Sequence, residues 1–255
     1  MDKGIIARNF SRCAHLYDVY SDVQRLAAHQ LIAQLRGSDF LKILELGCGT
    51  GNYTVILRER FKSAGIRAVD ISARMLERAK QKLAGADIEF THADAENIAF
   101  TERFDLVTAN ACFQWLGHPE ETIGQYKNLL QPGGQILFSC FGPDTFYELA
   151  EALRCVLAGP ALPAAGFMSR EKLLKLLKSN FQEAEVREEL YEESFPCLIG
   201  LLAKIKYIGA RGTRRNIPAN LGRGFLQDLE RAYWNKFHRI KATYQIFYCR
   251  GIKKA

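Results

Sequence analysis

Gly47, Gly49 and Gly51 stand at every second position after an apolar run, residues 40–46, that reads as a buried parallel strand. From Asn52 the spacing of Tyr53, Val55, Ile56 and Leu57 reads as a helix. Glycines there let the chain turn sharply and let a ligand lie against bare backbone. The helix N-terminus beyond adds unsatisfied N–H groups. Two common nucleotide turns do not fit. A dinucleotide fingerprint read from Gly47 needs glycine where Asn52 stands, and a phosphate loop needs a Lys that does not follow these glycines.

Glu45, two residues before the first glycine, suits a ligand with an ammonium group better than one with a pyrophosphate. That favours S-adenosylmethionine. Residues 66–70 read as a second short strand ending in Asp70, an acid 19 residues past Gly51 and able to accept from ribose hydroxyls. A third strand, 88–95, holds Asp94, and a fourth, 104–110, ends at Asn110. Polar residues at successive strand tips are what an open α/β sheet uses to bind a ligand. Each acid could equally cap the following helix, as Asp70 does if a helix begins after Ser72.

The elements that position these residues alternate. Helices at 72–83 and 119–130 separate strands, and Pro132-Gly133-Gly134 turns into a fifth strand at 135–139. This predicts an α/β fold with a doubly wound, mostly parallel sheet. One helix over 4–20 and another from Ser21-Asp22 to Leu35 precede the sheet as a lid, residues 1–38. The α/β core is expected over 39–193. Within it, Asp144 begins a helix to 157, residues 159–163 break it, Ser169 caps another over 170–178, and an acidic strand covers 181–191. Helices at 194–207 and 222–236 form a cap over 194–236, and 237–255 returns as a last strand, densest over 242–248.

A 255-residue chain with 48% hydrophobic residues fits a soluble domain with an insertion. No apolar stretch is long enough to cross a membrane and the N-terminus lacks a secretion signal, so a cytoplasmic protein is expected. The seven cysteines include no C-x-x-C and indicate neither a disulfide framework nor a metal site. The net charge of +7 is uneven. Residues 201–255 hold thirteen Lys and Arg against two acids, whereas 183–193 hold six Glu and one Arg. Such a basic region points to an anionic partner or to a solvated face.

The stretch 40–141 resembles the class I S-adenosylmethionine-dependent methyltransferases. The resemblance implies that Gly47, Gly49 and Gly51, with Glu45 and Cys48, cradle the methionyl part, that Asp70 takes the ribose, and that Ile71 and Met75 flank the adenine. Asp94 beside Ala95 would accept from the adenine amino group, and Asn110 would close the site. Base amino-group methyltransferases carry N/D-P-P-Y/F after the fourth strand, whereas this chain has Asn110-Ala111-Cys112-Phe113. Nucleic acid is therefore disfavoured as substrate despite the basic tail.

Nearly the whole chain is similar to one family, the malonyl-acyl carrier protein O-methyltransferases of biotin synthesis. The segments are Phe10-Ser11-Arg12 with Ala14, His15 and Tyr17, then Asn110 to Trp115, Lys206 to Ala210, and Thr243 to Phe247. The family often has G-A-T where this chain has Gly209-Ala210-Arg211. The resemblance implies methylation of the free carboxylate of a malonyl thioester on acyl carrier protein. A carboxylic acid with a pKa of about 4 is already ionised at neutral pH and needs no general base. Tyr17, Phe113 and Trp115 could supply a low-dielectric pocket. Lys206 or Arg211 could hold one carboxylate oxygen, with Gln114 and Tyr17 as hydrogen-bonding alternatives. Lys204, Arg214, Arg215 and Arg223 would meet an acidic carrier protein. A methyltransferase of a free small acid and an RNA-associated protein that binds S-adenosylmethionine are the competing readings.

Overall fold

The computed structural model describes residues 2–157, 163–210 and 222–255. Its sheet has seven strands in the order β3-β2-β1-β4-β5-β7-β6. The strands β1 (Lys42–Leu46), β2 (Gly65–Asp70), β3 (Ile88–His92), β4 (Phe104–Ala109) and β5 (Leu130–Phe141) pair in parallel. The last strand, β7 (Ile240–Ile252), runs antiparallel between β5 and the edge strand β6 (Glu183–Phe195). This is the doubly wound, mostly parallel α/β sheet that the alternation of elements predicts.

Both faces are covered, which is why the inner strands are apolar almost throughout. Neighbouring residues on a strand point to opposite faces. Ile43, Leu106 and Leu137 pack on one side with α3 (Asp22–Ile32), α4 (Asn52–Arg60), α7 (Tyr147–Val156) and α10 (Arg223–Phe237). Leu44, Val107 and Ile136 pack on the other with α6 (Pro119–Leu129) and α8 (Arg170–Asn180). Ser72 caps α5 (Ala73–Lys82) by accepting from Met75 N–H, and Ser169 caps α8 by accepting from Lys172 N–H.

The chain order reverses between β1 and β4, because β2 and β3 lie to one side of β1 and β4 and β5 to the other. A crevice opens at such a reversal, at the carboxyl ends of the strands. The glycine turn, Asp70 and Asn110 all lie at those ends.

Several boundaries differ from the sequence reading, among them the start of α7 at Tyr147 rather than Asp144 and the end of β3 at His92 rather than Ala95. The expected helix over 4–20 is α1 (Lys3–Cys13) followed by a separate turn of helix, α2 (Tyr17–Tyr20). No glycine or proline marks that break. Residues 194 and 195, expected to open a helix, continue β6, where Ser194 pairs with Lys241 and Phe195 with Ile240. The helix itself, α9 (Leu198–Tyr207), begins later. Strand β5 begins at Leu130, so the Pro-Gly-Gly stretch lies within it.

Candidate active site

The three glycines have different reasons to be glycine. Gly47 has φ +66°, and a Cβ there would lie 2.4 Å from Cys112 Sγ. Gly51, at φ +85°, precedes α4, and a Cβ would crowd Ala79 of α5 and Leu83 just past its end, at 3.2 and 3.1 Å. Gly49, at φ +56°, has nothing within 4 Å of its Cβ position and faces a cavity of about 680 Å³. It leaves backbone bare to a ligand.

Asp70 braces this turn. Its Oδ2 accepts from Gly49 N–H and its Oδ1 from Ser72 N–H, both at 2.8 Å. Burial raises its carboxyl to about 6 against the pull of those two N–H groups. The same cavity is lined by Gly47, Ile71, Met75, Asp94, Ala95, Asn110 and Trp115. All but Trp115 are among the cofactor residues expected from sequence, and Tyr17, expected there too, lines the cavity as well. Asn110 is held in place: Ser139 Oγ donates to its Oδ1 at 2.7 Å, and its Nδ2 donates to Gln24 O at 2.9 Å. Ala111 follows with φ +52°, a strained value for a non-glycine residue, and its N–H donates to Ser139 Oγ at 2.9 Å.

The N-terminal helices pack against the site, and two of the residues by which they do so, Lys3 and Asp18, have no role assigned from sequence. Lys3 of α1 bridges Asp94, at 3.4 Å, and Glu96, and it lines the cavity with Ile6 and Phe10. Burial raises the Glu96 carboxyl, but Lys3 and the N–H groups of Gly117 and His118 outweigh it and hold it near 2. Asp18 of α2 accepts from Thr50 Oγ1 at 2.5 Å and Asn52 Nδ2 at 3.0 Å, and it pairs with Lys82 at 2.8 Å. These bonds pin α2 to the end of the glycine turn. Phe10 edge-packs on both Tyr17 and Trp115. The spacing of Phe10 and Tyr17 was the only signal of this in the sequence.

A second cavity, about 570 Å³, adjoins the first. Phe10, Tyr17, Ala111 and Trp115 line both. Its remaining wall is Gln24, Gln114, Phe141, Phe146, Phe167, Tyr244 and the end of α9 with Ile208 and Ala210, among others. Among the described residues it has no His, Asp, Glu, Lys or Arg on its lining. Tyr17 faces this apolar room, and burial drives its phenol well above the ordinary value, so it stays protonated.

Several expected residues are placed elsewhere. Glu45 lies beneath the glycine turn at 1% exposure and does not line the cavity. Its Oε2 has no partner among the described residues, and burial raises the carboxyl to about 8. Burial thus favours its neutral form, and its side chain does not reach the cavity. Cys48 and Gly51 are packed away from the cavity, and Phe113 stacks on Phe138 at 3.8 Å in the core rather than lining either cavity.

Lys204, expected on a docking surface, is buried at 4% and neutralised by Asp22 and by Glu193 at 2.7 Å, which ties α9 to α3 and β6. Lys206 is exposed and sits 4.9 Å over the Tyr207 ring instead of lining the acceptor cavity. Arg223 is exposed at the start of α10. Arg211, Arg214 and Arg215 lie outside the described residues. Much of the basic tail is answered within the fold. Arg239 and Lys241 pair with Glu192, Arg250 with Glu185 and Lys236 with Glu151. Lys204, Arg239, Lys241 and Arg250 thus answer carboxylates of the acidic strand.

A doubly wound sheet with a glycine turn after β1, an acid at the end of β2 and a second cavity adjoining the one at the turn defines a class I S-adenosylmethionine-dependent methyltransferase. Residues 43–134 match the methyltransferase-domain family. The chain is 34% identical to malonyl-[acyl-carrier protein] O-methyltransferase 2 of Ilyobacter polytropus, over 98% of this chain and 93% of that one. It is also 34% identical to the malonyl-[acyl-carrier protein] O-methyltransferase of Halalkalibacterium halodurans, over 97% of each. It belongs to the malonyl-[acyl-carrier protein] O-methyltransferase family. A phosphoethanolamine N-methyltransferase of Haemonchus contortus, solved in complex with S-adenosylhomocysteine, superposes with a TM-score of 0.57 at 17% identity. That match covers 92% of this chain and 53% of the other, and the likeness is one of fold.

Proposed function

We propose that this protein methylates the free carboxylate of a malonyl thioester on acyl carrier protein, an early step of biotin synthesis. The carrying observation is the second cavity, which adjoins the first and has no His, Asp, Glu or Lys on its described lining, while burial keeps the phenols of Tyr17 and Tyr244 protonated. An alcohol or amine acceptor needs a proton removed, whereas a carboxylate arrives ionised. Bound S-adenosylmethionine supplies a methyl group on a sulfonium and leaves as S-adenosylhomocysteine when a carboxylate oxygen takes the methyl in line. The chain's own contribution is alignment and exclusion of water. Tyr17, Ala111 and Trp115 stand where the two cavities meet, and the aromatic wall keeps the dielectric low as opposite charges cancel.

Asp70, Ile71, Met75, Asp94 and Asn110 are proposed to hold the cofactor, with the first 38 residues as its lid. Arg211, which follows Ala210 in sequence, is proposed to hold one oxygen of the carboxylate. Lys206 and Arg223, with Arg214 and Arg215 between them in sequence, are proposed to meet an acidic carrier protein, whose charge would steer docking.

Mass spectrometry of malonyl- and acetyl-loaded carrier protein, after incubation with enzyme and S-adenosylmethionine, tests this. One methyl gained on the malonyl form alone is expected. No gain on either form, with cofactor binding intact, would direct the reading to a free small acid.

A further inference from the structure

Lys204 is 4% exposed and lines neither cavity, yet the groups around it lead to three walls of the second one. Its Nζ donates to Asp22, and to Glu193 Oε1 at 2.7 Å. The other oxygen of Glu193, Oε2, accepts from the Tyr244 hydroxyl at 3.0 Å. Tyr244 lines the cavity, and its ring edge-packs at 4.9 Å on Phe146, which lines it too. Asp22 stands two residues before Gln24 on α3, and Lys204 directly precedes Ile205 on α9. Gln24 and Ile205 are also on the lining. One buried ammonium thus joins α3, α9 and, through Glu193, the Tyr244 wall of β7.

Strength alone does not explain a charge in this place. Apolar side chains of like volume often hold buried elements as firmly as an ion pair does, without the loss of hydration. What an ammonium adds is direction, because its donors and the carboxylate oxygens fix where each partner stands. We infer that Lys204 is a positioning residue for methyl transfer, setting through Asp22 and Glu193 the spacing of α3, α9 and the Tyr244 ring around the acceptor. The inference rests on the reading of the acceptor as a malonyl thioester held in this second cavity. None of Gln24, Ile205 and Tyr244 lines the cofactor cavity. Loosening the chain of bonds from Lys204 should therefore disturb the acceptor and leave cofactor binding as it is. Small displacements of an acceptor from the line of transfer cost large factors in rate.

The test uses the full chain with malonyl-loaded carrier protein, beside calorimetric titration of S-adenosylhomocysteine. Glu193→Gln keeps the shape of the side chain but has one acceptor oxygen for two donors. Tyr244→Phe removes only the hydroxyl. Each of these, and Lys204→Met, is expected to lower kcat/KM for the thioester about tenfold, with S-adenosylhomocysteine affinity within about twofold of native. Lys204→Met combined with Tyr244→Phe should lose clearly less than the product of the two single losses, because both break one chain. If Lys204→Met does not fold, Glu193→Gln combined with Tyr244→Phe supplies the same comparison. Native-like kcat/KM in Glu193→Gln or Tyr244→Phe overturns the inference and leaves the carboxylate reading intact. So do losses that multiply in full, and so does a parallel loss of cofactor affinity, which marks damage to the whole fold. A native chain that methylates no malonyl-loaded carrier protein overturns the carboxylate reading, and the inference with it.

Discussion

Gly47 and Glu45 show how single positions in one motif come under different constraints. A Cβ at Gly47 would strike Cys112 Sγ and would sit on a backbone with positive φ. Gly47→Ala should weaken cofactor binding at least tenfold and lower stability by about 2 kcal/mol. Adding Cys112→Ala removes the collision but leaves the strain of about 1 kcal/mol, so the double variant should recover part of both losses. Strictly additive losses in calorimetric titration would show that the contact is not the cause. Glu45 is a different case. Its folded carboxyl is raised to about 8 by burial, above its ordinary 4.5, so its stabilising share is complete below pH 4.5 and is lost as pH rises through 8. Glu45→Gln has no such titration. Without cofactor, its stability relative to the native chain should climb by roughly 2–4 kcal/mol between pH 5 and pH 9 in denaturant melts. Parallel curves would mean that the buried carboxyl is already ionised.

Among the elements, α2 is the one whose position depends most on a few polar bonds. Its four residues make too short a helix to persist alone. Asp18 ties it to Thr50, Asn52 and Lys82, and together these outweigh burial and hold its carboxyl below the usual range. Asp18→Ala should speed hydrogen exchange across residues 3–20 and weaken cofactor affinity severalfold, with a melting temperature changed by only a few degrees. Unchanged exchange in that segment would assign the closure to the packing of Phe10 and Tyr17 instead. The break before α2 was invisible in the sequence because tertiary contacts make it, without any proline or glycine.

For the molecule as a whole, charge is arranged as complementary halves. The acidic β6 and the basic C-terminal segment meet across the β6–β7 edge of the sheet. In these pairs the carboxylate at least is well exposed, which makes each one weak. Lys204 differs in being buried and enclosed by two carboxylates, Asp22 and Glu193. Lys204→Ala should therefore cost about 3 kcal/mol in urea unfolding, because it leaves carboxylates facing each other without their cation. Lys206→Ala, two residues on, should stay within about 0.5 kcal/mol. Equal effects would remove the distinction between a structural and a docking cation.

The glycine turn, the strand-tip acids and the order of elements were legible in the sequence because they are local. An alternation of apolar strands and helices dictates a doubly wound sheet, and glycines before a helix dictate a ligand turn. Asp70, Ile71, Met75, Asp94 and Asn110 fall on the cavity because strand ends fix them. On the acceptor side, Tyr17, Gln114 and Trp115 were legible through the family resemblance and line the second cavity, whereas Lys204 and Lys206 do not. Lys3 and Asp18 were not assigned, because they reach the site only through the packing of the N-terminal helices across the sheet's carboxyl edge. Lys204 and Lys206 differ by two positions and look alike in sequence. Only the fold decides that one is enclosed by carboxylates and the other faces water. Glu45 reads as an ammonium partner from its spacing, yet β1 carries it into the core, where its charge has no solvent to stabilise it. Local geometry is written in neighbouring residues, whereas burial and pairing depend on which distant segments the fold brings together.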